Sequence, residues 1–214
     1  MKIGLLGYGS LGKQVHFLLK EIDSIDDNQI TVFDDLLQPG TEAKFSIKPF
    51  QSVFEDEFKN HVIYICLGYH HLTLKKTLID QLLAANYKLP NLIHPSVNIS
   101  KYASVGNGNI FFSGAVVDLF STIGNGNIFY NQVCISHDVI INDCNFLAPS
   151  VTVCGNSNVG NSNFIGARVV IANSITIGNN NKIGIGSVIT KNMDSNMSGV
   201  GFPFKTLYKD LDLK

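Results

Sequence analysis

Residues 105–110 read V-G-N-G-N-I, and the closely similar I-G-N-G-N-I follows eighteen positions later at 123–128. Two further copies, V-G-N-S-N-F and I-G-N-N-N-K, begin at Val159 and Ile177. Stepping through this region by six meets a large apolar residue at sixteen consecutive positions: Ile99, Val105, Phe111, Val117, Ile123, Phe129, Ile135, Ile141, Leu147, Val153, Val159, Ile165, Ile171, Ile177, Ile183 and Ile189. The probability of such a run by chance is about 0.5 to the sixteenth power. A repeat with a period of six therefore organises this part of the chain.

A second period, of eighteen residues, is superimposed on the first. The asparagines with this spacing are Asn109, Asn127, Asn145, Asn163 and Asn181. The glycines with this spacing are Gly106, Gly124, Gly160 and Gly178, with Asn142 in the remaining slot. Because six residues make one short strand and a turn, three units predict one triangular coil of a parallel β-helix. Equivalent residues stack at about 4.8 Å, which predicts an asparagine amide ladder. We expect the glycine column to hold the corner residues with positive φ.

Composition excludes several classes of protein. The 214 residues suffice for one large or two small domains, and only 15% of them are charged, with a formal net charge of −1. Without a basic run we expect no nucleic-acid partner, and without about 18 consecutive apolar residues we expect no membrane span. The start, MKIGLLGYGSLGK, favours a strand and a glycine-rich turn over a signal peptide, and the four cysteines form no CxxC pair. These features predict a cytoplasmic protein with reduced thiols.

The first ninety residues have a different pattern. Apolar strands are predicted at 2–6, 30–33 and 61–67, and helices at 11–21 and about 71–86. Strands that alternate with helices indicate a small parallel α/β unit. The expected fold is therefore an α/β, Rossmann-like N-terminal domain at 1–90, followed by a parallel β-helix at 91–214.

The motif G-Y-G-S-L-G at 7–12 lies between the first strand and the first helix, and Asp34 and Asp35 end the second strand. This arrangement formally meets the dinucleotide fingerprint, but the unit is too short for both halves of a dinucleotide fold and a substrate domain. Two interpretations remain. Gly7, Gly9 and Gly12 serve a tight strand–helix turn, or their backbone approaches the diphosphate of a nucleotide sugar. In the second case Asp34 or Asp35 would meet the base or ribose, and Gly68 would lie nearby.

Taken together, these motifs resemble a known family. The repeats match the apolar-Gly-x-x-x-x pattern of hexapeptide acyltransferases, whose prisms are left-handed and usually trimeric. The combination of G-Y-G-S-L-G, F-D-D at 33–35, I-S-H-D-V-I-I at 135–141 and G-V-G-F-P-F-K at 199–205 resembles the PglD/NeuD type of bacterial sugar acetyltransferase. The last segment is similar to the family's closing G-V-P-A-K. The resemblance covers nearly the whole chain.

The resemblance implies a cofactor, a substrate and an assembly. Acetyl-CoA would lie in the groove between adjacent prisms, and the N-terminal domain would hold a nucleotide-activated amino sugar. It also implies residues that contact acetyl-CoA, namely Gly155, Gly166, Ala167, Gly186 and Lys205. A closed homotrimer is favoured as well by small and apolar residues expected on the outer faces, namely Ala115, Val116, Val133 and Ala148.

Acetyl transfer from a thioester needs a proton acceptor for the nucleophile and a donor for the tetrahedral oxyanion. His137 is the only histidine in the repeats, and an imidazole accepts a proton near neutral pH. By resemblance, the neighbouring Asp138 orients the ring. Gly155 lies one coil later, where it either presents its N–H to the acetyl oxygen or simply relieves a corner. Some family members carry a second histidine at the position of Phe146, so the contact of that histidine is absent or replaced here.

The predicted function is N-acetylation of the 4-amino group of a nucleotide-linked amino-dideoxy sugar for surface glycan biosynthesis. An O-acetyltransferase acting on sialic acid remains an alternative, as does a non-catalytic nucleotide-sugar-binding trimer. A zinc-dependent hydratase on the same prism would need several converging histidines, and the repeats hold only one, so we expect no metal.

Overall fold

The computed structural model describes residues 2–37 and 45–209. Contacts divide the chain into two compact units, residues 1–92 and 93–214. Within the described residues, no helix is both long enough and apolar enough to cross a bilayer.

The first unit contains a parallel sheet of β1 (Ile3–Leu6), β2 (Ile30–Phe33), β3 (Ser46–Lys48) and β4 (Val62–Ile65). Its strand order is β3-β2-β1-β4, and β1, β2 and β4 are wholly buried. The α-helices are α1 (Ser10–Asp23) and α2 (Leu72–Ala84). Short 3₁₀ helices lie at Asp27–Gln29, Phe50–Phe54, Asp56–Phe58 and Tyr69–His71. The predicted parallel α/β unit is confirmed. The edge strand β3 was not predicted, because its three residues are half-exposed and carry no apolar run.

The second unit contains three stacks of two-residue parallel strands, in the arrangement of a left-handed β-helix. Face 1 consists of Asn98–Ile99, Val116–Val117, Cys134–Ile135, Thr152–Val153, Val170–Ile171 and Val188–Ile189. Face 2 consists of Ser104–Val105, Thr122–Ile123, Ile140–Ile141, Asn158–Val159 and Thr176–Ile177. Face 3 contains Ile110–Phe111, Ile128–Phe129, Phe146–Leu147, Phe164–Ile165 and Lys182–Ile183, then Met197–Val200 and the antiparallel Lys205–Lys209. A short strand, Leu92–Ile93, precedes them.

Three corners connect these faces in chain order. The first corner joins face 1 to face 2, the second joins face 2 to face 3, and the third joins face 3 to face 1 of the next coil. Strand residues up to Ile189 pair with the residue eighteen positions away, as when Ile123 aligns with Val105 below and Ile141 above. Beyond the last full coil the spacing is sixteen, as between Lys182 and Ser198. The predicted coil of eighteen residues is confirmed.

The predicted apolar column fills the interior, and only its first members, Ile99 and Val105, are partly exposed. A second inward row lies two residues before each member of the column. Its apolar members are Ala115, Val133, Val151 and Val169 at the third corner, and Val139 and Ile175 at the first. Met193 is also buried, but it pairs with Ile177 and so continues the apolar column of face 2. We expected Ala115, Val133 and Ala148 on the outer faces. That prediction was wrong, because they are buried at 1%, 0% and 7% exposure.

The asparagine ladder occupies this inward row at the second corner. Asn145 donates its backbone N–H and its side-chain Nδ2 to Oδ1 of Asn127, at 2.8 and 3.1 Å. Asn163 donates in the same way to Asn145, at 2.9 and 3.0 Å. All five side chains are at most 1% exposed. The predicted ladder is confirmed, and it satisfies polar groups that burial would otherwise leave unpaired.

The reason we gave for the glycine column was wrong. Gly106, Gly124, Gly160 and Gly178 do not have positive φ. The left-handed residues lie two positions later and recur at every corner: Gly108, Gly114, Phe120, Gly126, Gln132, Asp138, Cys144, Ser150, Asn156, Ser162, Arg168, Ser174, Asn180 and Gly186. The glycines of the column are needed because the next coil passes too closely. A Cβ on Gly160 would lie 2.6 Å from the carbonyl oxygen of Gly178.

Candidate functional site

The first corner carries His137 and Asp138. Ile135 points into the core, and the left-handed φ of 56° at Asp138 turns the chain towards face 2. The N–H of Asp138 donates to the carbonyl oxygen of Leu119 at 3.0 Å, which fixes the turn to the coil below. His137 therefore projects outward while its backbone belongs to a rigid stack of coils.

The imidazole of His137 is hydrogen-bonded to its neighbour. Nδ1 lies 2.9 Å from Oδ2 of Asp138, and the two side chains are 51% and 49% exposed. A carboxylate can only accept, so this bond requires the proton on Nδ1 and leaves the lone pair on Nε2. The pair therefore presents a base at the prism surface.

Gly155 lies against this ring from the coil above. A Cβ on Gly155 would be 2.6 Å from Cε1 and 2.7 Å from Nε2 of His137. The absence of a side chain at Gly155 makes room for the imidazole. Seating the ring of His137 is thus a third role for Gly155, beside the two interpretations that the sequence left open. The Gly155 carbonyl accepts the N–H of Ser174 at 3.0 Å, which holds the glycine to the coil above it.

Gly155 is one of the five predicted cofactor residues, and the other four lie away from His137 on the prism. Gly166, Ala167 and Gly186 come together at the third corner, where the Gly186 N–H donates to the Ala167 carbonyl at 2.8 Å. The third corner and the first corner are separated by face 1. Lys205 is exposed and opens the terminal antiparallel strand, opposite Val200. Within one chain, these residues are not brought to His137.

Phe146 also lies away from His137, on the outer side of face 3. Its ring is 5.1 Å from that of Tyr130 and 5.7 Å from that of Phe164, and the residue is only 8% exposed. Phe112 extends the row by stacking on Tyr130 at 4.6 Å. Phe146 therefore belongs to a packed aromatic row.

In the first unit, the three glycines of the G-Y-G-S-L-G motif differ in their surroundings. Gly7 has a φ of 90° and donates its N–H to the Phe33 carbonyl at 2.9 Å. Gly12 packs against the carbonyl of Gly7, so that α1 can approach β1 closely. Gly9 is the N-cap of α1 and is exposed, and a Cβ there would meet nothing within 4 Å in the described part of the chain. Of the three, Gly9 is the glycine that no described neighbour requires.

The two acidic residues accept hydrogen bonds from backbone N–H groups of the first unit. Asp34 accepts the N–H of Tyr8 at 2.7 Å and that of Leu36 at 2.8 Å. Asp35 accepts the N–H of Phe50 at 2.8 Å. Both carboxylates therefore bind their own backbone. Asp34 holds the glycine loop in place by a contact between residues that are 26 positions apart.

Gly68 follows β4, as Gly7 follows β1, so both lie at the carboxyl edge of the sheet. The chain order reverses between these strands, since β2 and β3 lie on one side of β1 and β4 on the other. Ligands of parallel sheets bind at such a crevice. Among residues 2–37 and 45–209, a Cβ on Gly68 would also meet nothing within 4 Å, and the following His70 and His71 are exposed.

A buried histidine behind the glycine loop was missed. His16 is 4% exposed, and its Nδ1 lies 2.6 Å from the Tyr8 hydroxyl while Nε2 lies 3.0 Å from Asp27. Lys20 also binds Asp27, and this hydrogen bond contributes most to lowering the pKa of the Asp27 carboxyl. The spacing of Tyr8 and His16 across the first two turns of α1 was the available signal.

No group of three or more His, Cys, Asp and Glu side chains that could hold a metal ion occurs in residues 2–37 and 45–209. No protein-family model matches the chain, and no curated protein matches its sequence. Solved structures do match over nearly its whole length. The acetyltransferase domain of PglB from Neisseria gonorrhoeae FA1090 superimposes with a TM-score of 0.86 at 25% identity, covering 96% of this chain and 99% of that one.

The chain has the fold of the hexapeptide-repeat sugar acetyltransferases. The PglB domain in complex with acetyl coenzyme A matches with a TM-score of 0.84 at 25% identity, over 96% of this chain and 98% of that one. A mutant of a perosamine N-acetyltransferase from Caulobacter crescentus, in complex with CoA and GDP-perosamine, matches with a TM-score of 0.85 at 19% identity, over 97% of each chain. WeeI from Acinetobacter baumannii AYE matches with a TM-score of 0.83 at 20% identity, over 97% of this chain and 100% of that one.

These matches cover both units of the acetyltransferase fold. The resemblance that the sequence motifs indicated is confirmed at the level of this class of sugar acetyltransferase.

Proposed function

We propose that this chain is a cytoplasmic homotrimer that transfers the acetyl group of acetyl-CoA to the 4-amino group of a nucleotide-linked amino-dideoxy sugar, for surface glycan biosynthesis. The observation that carries the proposal is the His137–Asp138 pair on the prism corner, with its ring seated over Gly155. Relatives in fold that were crystallised with acetyl coenzyme A, or with CoA and GDP-perosamine, support the two substrates.

The chemistry follows from the orientation of the ring. The amine of the sugar attacks the thioester carbon, and the attacking nitrogen must lose a proton as the tetrahedral intermediate collapses to the amide and the CoA thiol. Nε2 of His137 is the proton acceptor. Asp138 holds the ring by Nδ1 and stabilises the imidazolium that forms. The backbone N–H of Gly155 is the proposed donor to the developing oxyanion.

The separation of the two residue sets supports the trimer. The third corner carries Gly166, Ala167 and Gly186 and the first corner carries His137, so face 1 separates the two sets on a single prism. A groove that is formed by the first corner of one prism and the third corner of the next would join them. In a closed ring of three prisms, every subunit would complete one such groove.

The nucleotide part of the acceptor belongs to the first unit, which we take as Rossmann-like. The free space at Gly9 and Gly68, judged against the described residues, lies at the point where the strand order reverses. The N-terminus of α1 there favours a diphosphate. Asp34 and Asp35 shape the loop by accepting backbone N–H groups, and the remaining lone pairs of one of them are proposed to meet the base or ribose.

The test is an acetyl-CoA turnover assay against UDP-, dTDP- and GDP-linked 4-amino sugars, with free sialic acid as a further acceptor. We expect release of the CoA thiol with at least one nucleotide 4-amino sugar, and an amide product that gains the mass of one acetyl group. Turnover with sialic acid alone would establish the O-acetyltransferase instead. Binding of a nucleotide sugar without any turnover would establish the non-catalytic alternative.

A further inference from the structure

Three apolar side chains stand exposed at the first corner, just below the His137–Asp138 pair. Phe120 is 63% exposed, Tyr102 is 58% exposed and Leu119 is 39% exposed. The rings of Tyr102 and Phe120 are 6.0 Å apart. The ammonium of Lys101 lies 4.9 Å from the centre of the Tyr102 ring.

These residues are aligned with the pair by the repeat. Leu119 lies eighteen positions before His137, and Phe120 lies eighteen positions before Asp138. Leu119 is therefore directly below His137, and Phe120 directly below Asp138, one coil down. The hydrogen bond from the Asp138 N–H to the Leu119 carbonyl is one of the direct contacts between these coils. Tyr102 lies one further coil down. At about 4.8 Å per coil, the exposed surface extends roughly 10 Å along the corner from Asp138.

Phe120 is an unusual residue at this position. It has a φ of 61°, and it is the one aromatic residue among the fourteen left-handed corner residues between 108 and 186. A bulky residue in this region costs about 1 kcal/mol or more relative to glycine. In the single chain its ring is mostly in solvent and therefore returns little to the stability of the prism itself. Strain that folding does not explain points to a function.

We propose that Tyr102, Leu119 and Phe120 form a platform that binds the acceptor sugar and directs its amine to His137. The proposal rests on the proposed acetyltransferase function and adds to it the binding surface for the pyranose. The flat face of a deoxy sugar presents C–H groups that pack on aromatic rings, whereas added hydroxyls there would lose water. The platform therefore selects deoxy amino sugars.

The positive charge of Lys101 suits the anionic part of such an acceptor. Lys101 lies at the end of the platform remote from His137, which is where the diphosphate would extend if the amine is at Nε2. The nearest carboxylate along the chain, Asp118, accepts the N–H of Leu119 at 2.7 Å and is committed to the turn. Lys101 therefore supplies a positive charge at the end of the platform towards which the anionic part of the acceptor would extend.

The experiment compares steady-state kinetics of the wild-type chain with those of Phe120→Gly, using the nucleotide sugar that the wild type acetylates. Glycine suits the left-handed backbone, so the variant folds. We expect the KM for the acceptor to rise about tenfold, with the KM for acetyl-CoA and the kcat at saturation within about twofold of wild type. The preference for a 6-deoxy acceptor over its 6-hydroxy counterpart should fall.

Ser174→Gly is the matched control. Ser174 occupies the same corner, two coils above Asp138, and has a φ of 60°. It should leave the KM for the acceptor unchanged. Lys101→Gln should raise that KM and weaken its dependence on salt, because one ion pair with the diphosphate is lost.

Each contrary outcome is distinct. An acceptor KM unchanged in Phe120→Gly, with an active wild type, would overturn the platform and leave the proposed function standing. Loss of the trimer in Phe120→Gly on sedimentation would show that the patch is a subunit contact, and would also overturn the platform. A wild type without turnover on any acceptor would overturn the proposed function and the platform with it.

Discussion

The glycines of the two units are required for different reasons. In the prism, a Cβ on Gly106, Gly124, Gly160 or Gly178 would collide with the backbone of the next coil. In the first unit, Gly7 needs its φ of 90°, while a Cβ added at Gly9 or Gly68 would meet no described atom within 4 Å. Gly155 is intermediate, because its Cβ would collide with the ring of His137. A glycine that the fold does not require marks a surface that something else approaches.

The largest effect is expected for the glycine column of the prism. Gly160→Ala would place a Cβ 2.6 Å from the Gly178 carbonyl oxygen, and backbone on both coils would have to move. We expect the free energy of unfolding to fall by about 3 kcal/mol, as measured by chemical denaturation. Gly68→Ala is the control and should change it by less than about 0.5 kcal/mol. Equal losses of unfolding free energy in Gly160→Ala and Gly68→Ala would contradict the distinction between the glycines of the two units.

The next effect separates activity from stability. Gly155→Ala meets a half-exposed side chain rather than backbone, so the imidazole can rotate away at little cost to the fold. Misplacing the base should lower kcat by about thirtyfold, whereas the unfolding free energy should change by less than about 1 kcal/mol. A stable variant with wild-type kcat would show that the contact between Gly155 and the ring has no part in catalysis.

The glycine loop of the first unit offers a matched pair. Gly7→Ala forces a side chain into a left-handed conformation and should lower the unfolding free energy by about 1–2 kcal/mol. Gly9→Ala should cost less stability than Gly7→Ala, since only the weaker N-cap of α1 is affected, and it should raise the KM for the nucleotide sugar with the KM for acetyl-CoA unaffected. Tight binding of NAD to the wild type in calorimetry would instead show that the loop serves a dinucleotide.

The smallest effect concerns His61, which is 5% exposed at the start of β4. Burial, followed by the charge of Lys2, lowers the pKa of its imidazole below the ordinary 6.5. In the unfolded chain His61 binds a proton near pH 6.5, whereas in the folded chain it does so only at lower pH. The free energy of unfolding therefore falls as the pH drops below about 6.5. Urea titrations at about pH 7.5 and 5.5 should show this loss, and His61→Gln should reduce it. An equal loss of unfolding free energy between about pH 7.5 and 5.5 in His61→Gln and in the wild type would contradict this explanation.

The sequence predicted the prism better than the first unit, because in the prism every contact has the same spacing. Ile141 packs between the residues eighteen positions before and after it, so the apolar column and the asparagine ladder could be derived by counting. The same counting could not distinguish Gly106 from the left-handed Gly108, since that depends on the backbone path. The contact between Asp34 and Tyr8 has no periodicity, so it could not be derived from the sequence. The exposed cluster of Tyr102, Leu119 and Phe120 was missed because the count by six follows the inward positions and leaves the outward corner residues unexamined.

The most direct test of the central claim is the kcat of His137→Ala with a nucleotide 4-amino sugar, measured together with the dissociation constant of acetyl-CoA. General-base catalysis contributes about a hundred- to ten-thousand-fold, so we expect kcat to fall by that factor. Acetyl-CoA should still bind, and Asp138→Asn should cost less, since it disturbs only the orientation of the ring. A His137→Ala variant that keeps most of its kcat would show that the amine reacts without this base and that the first corner is not the catalytic site.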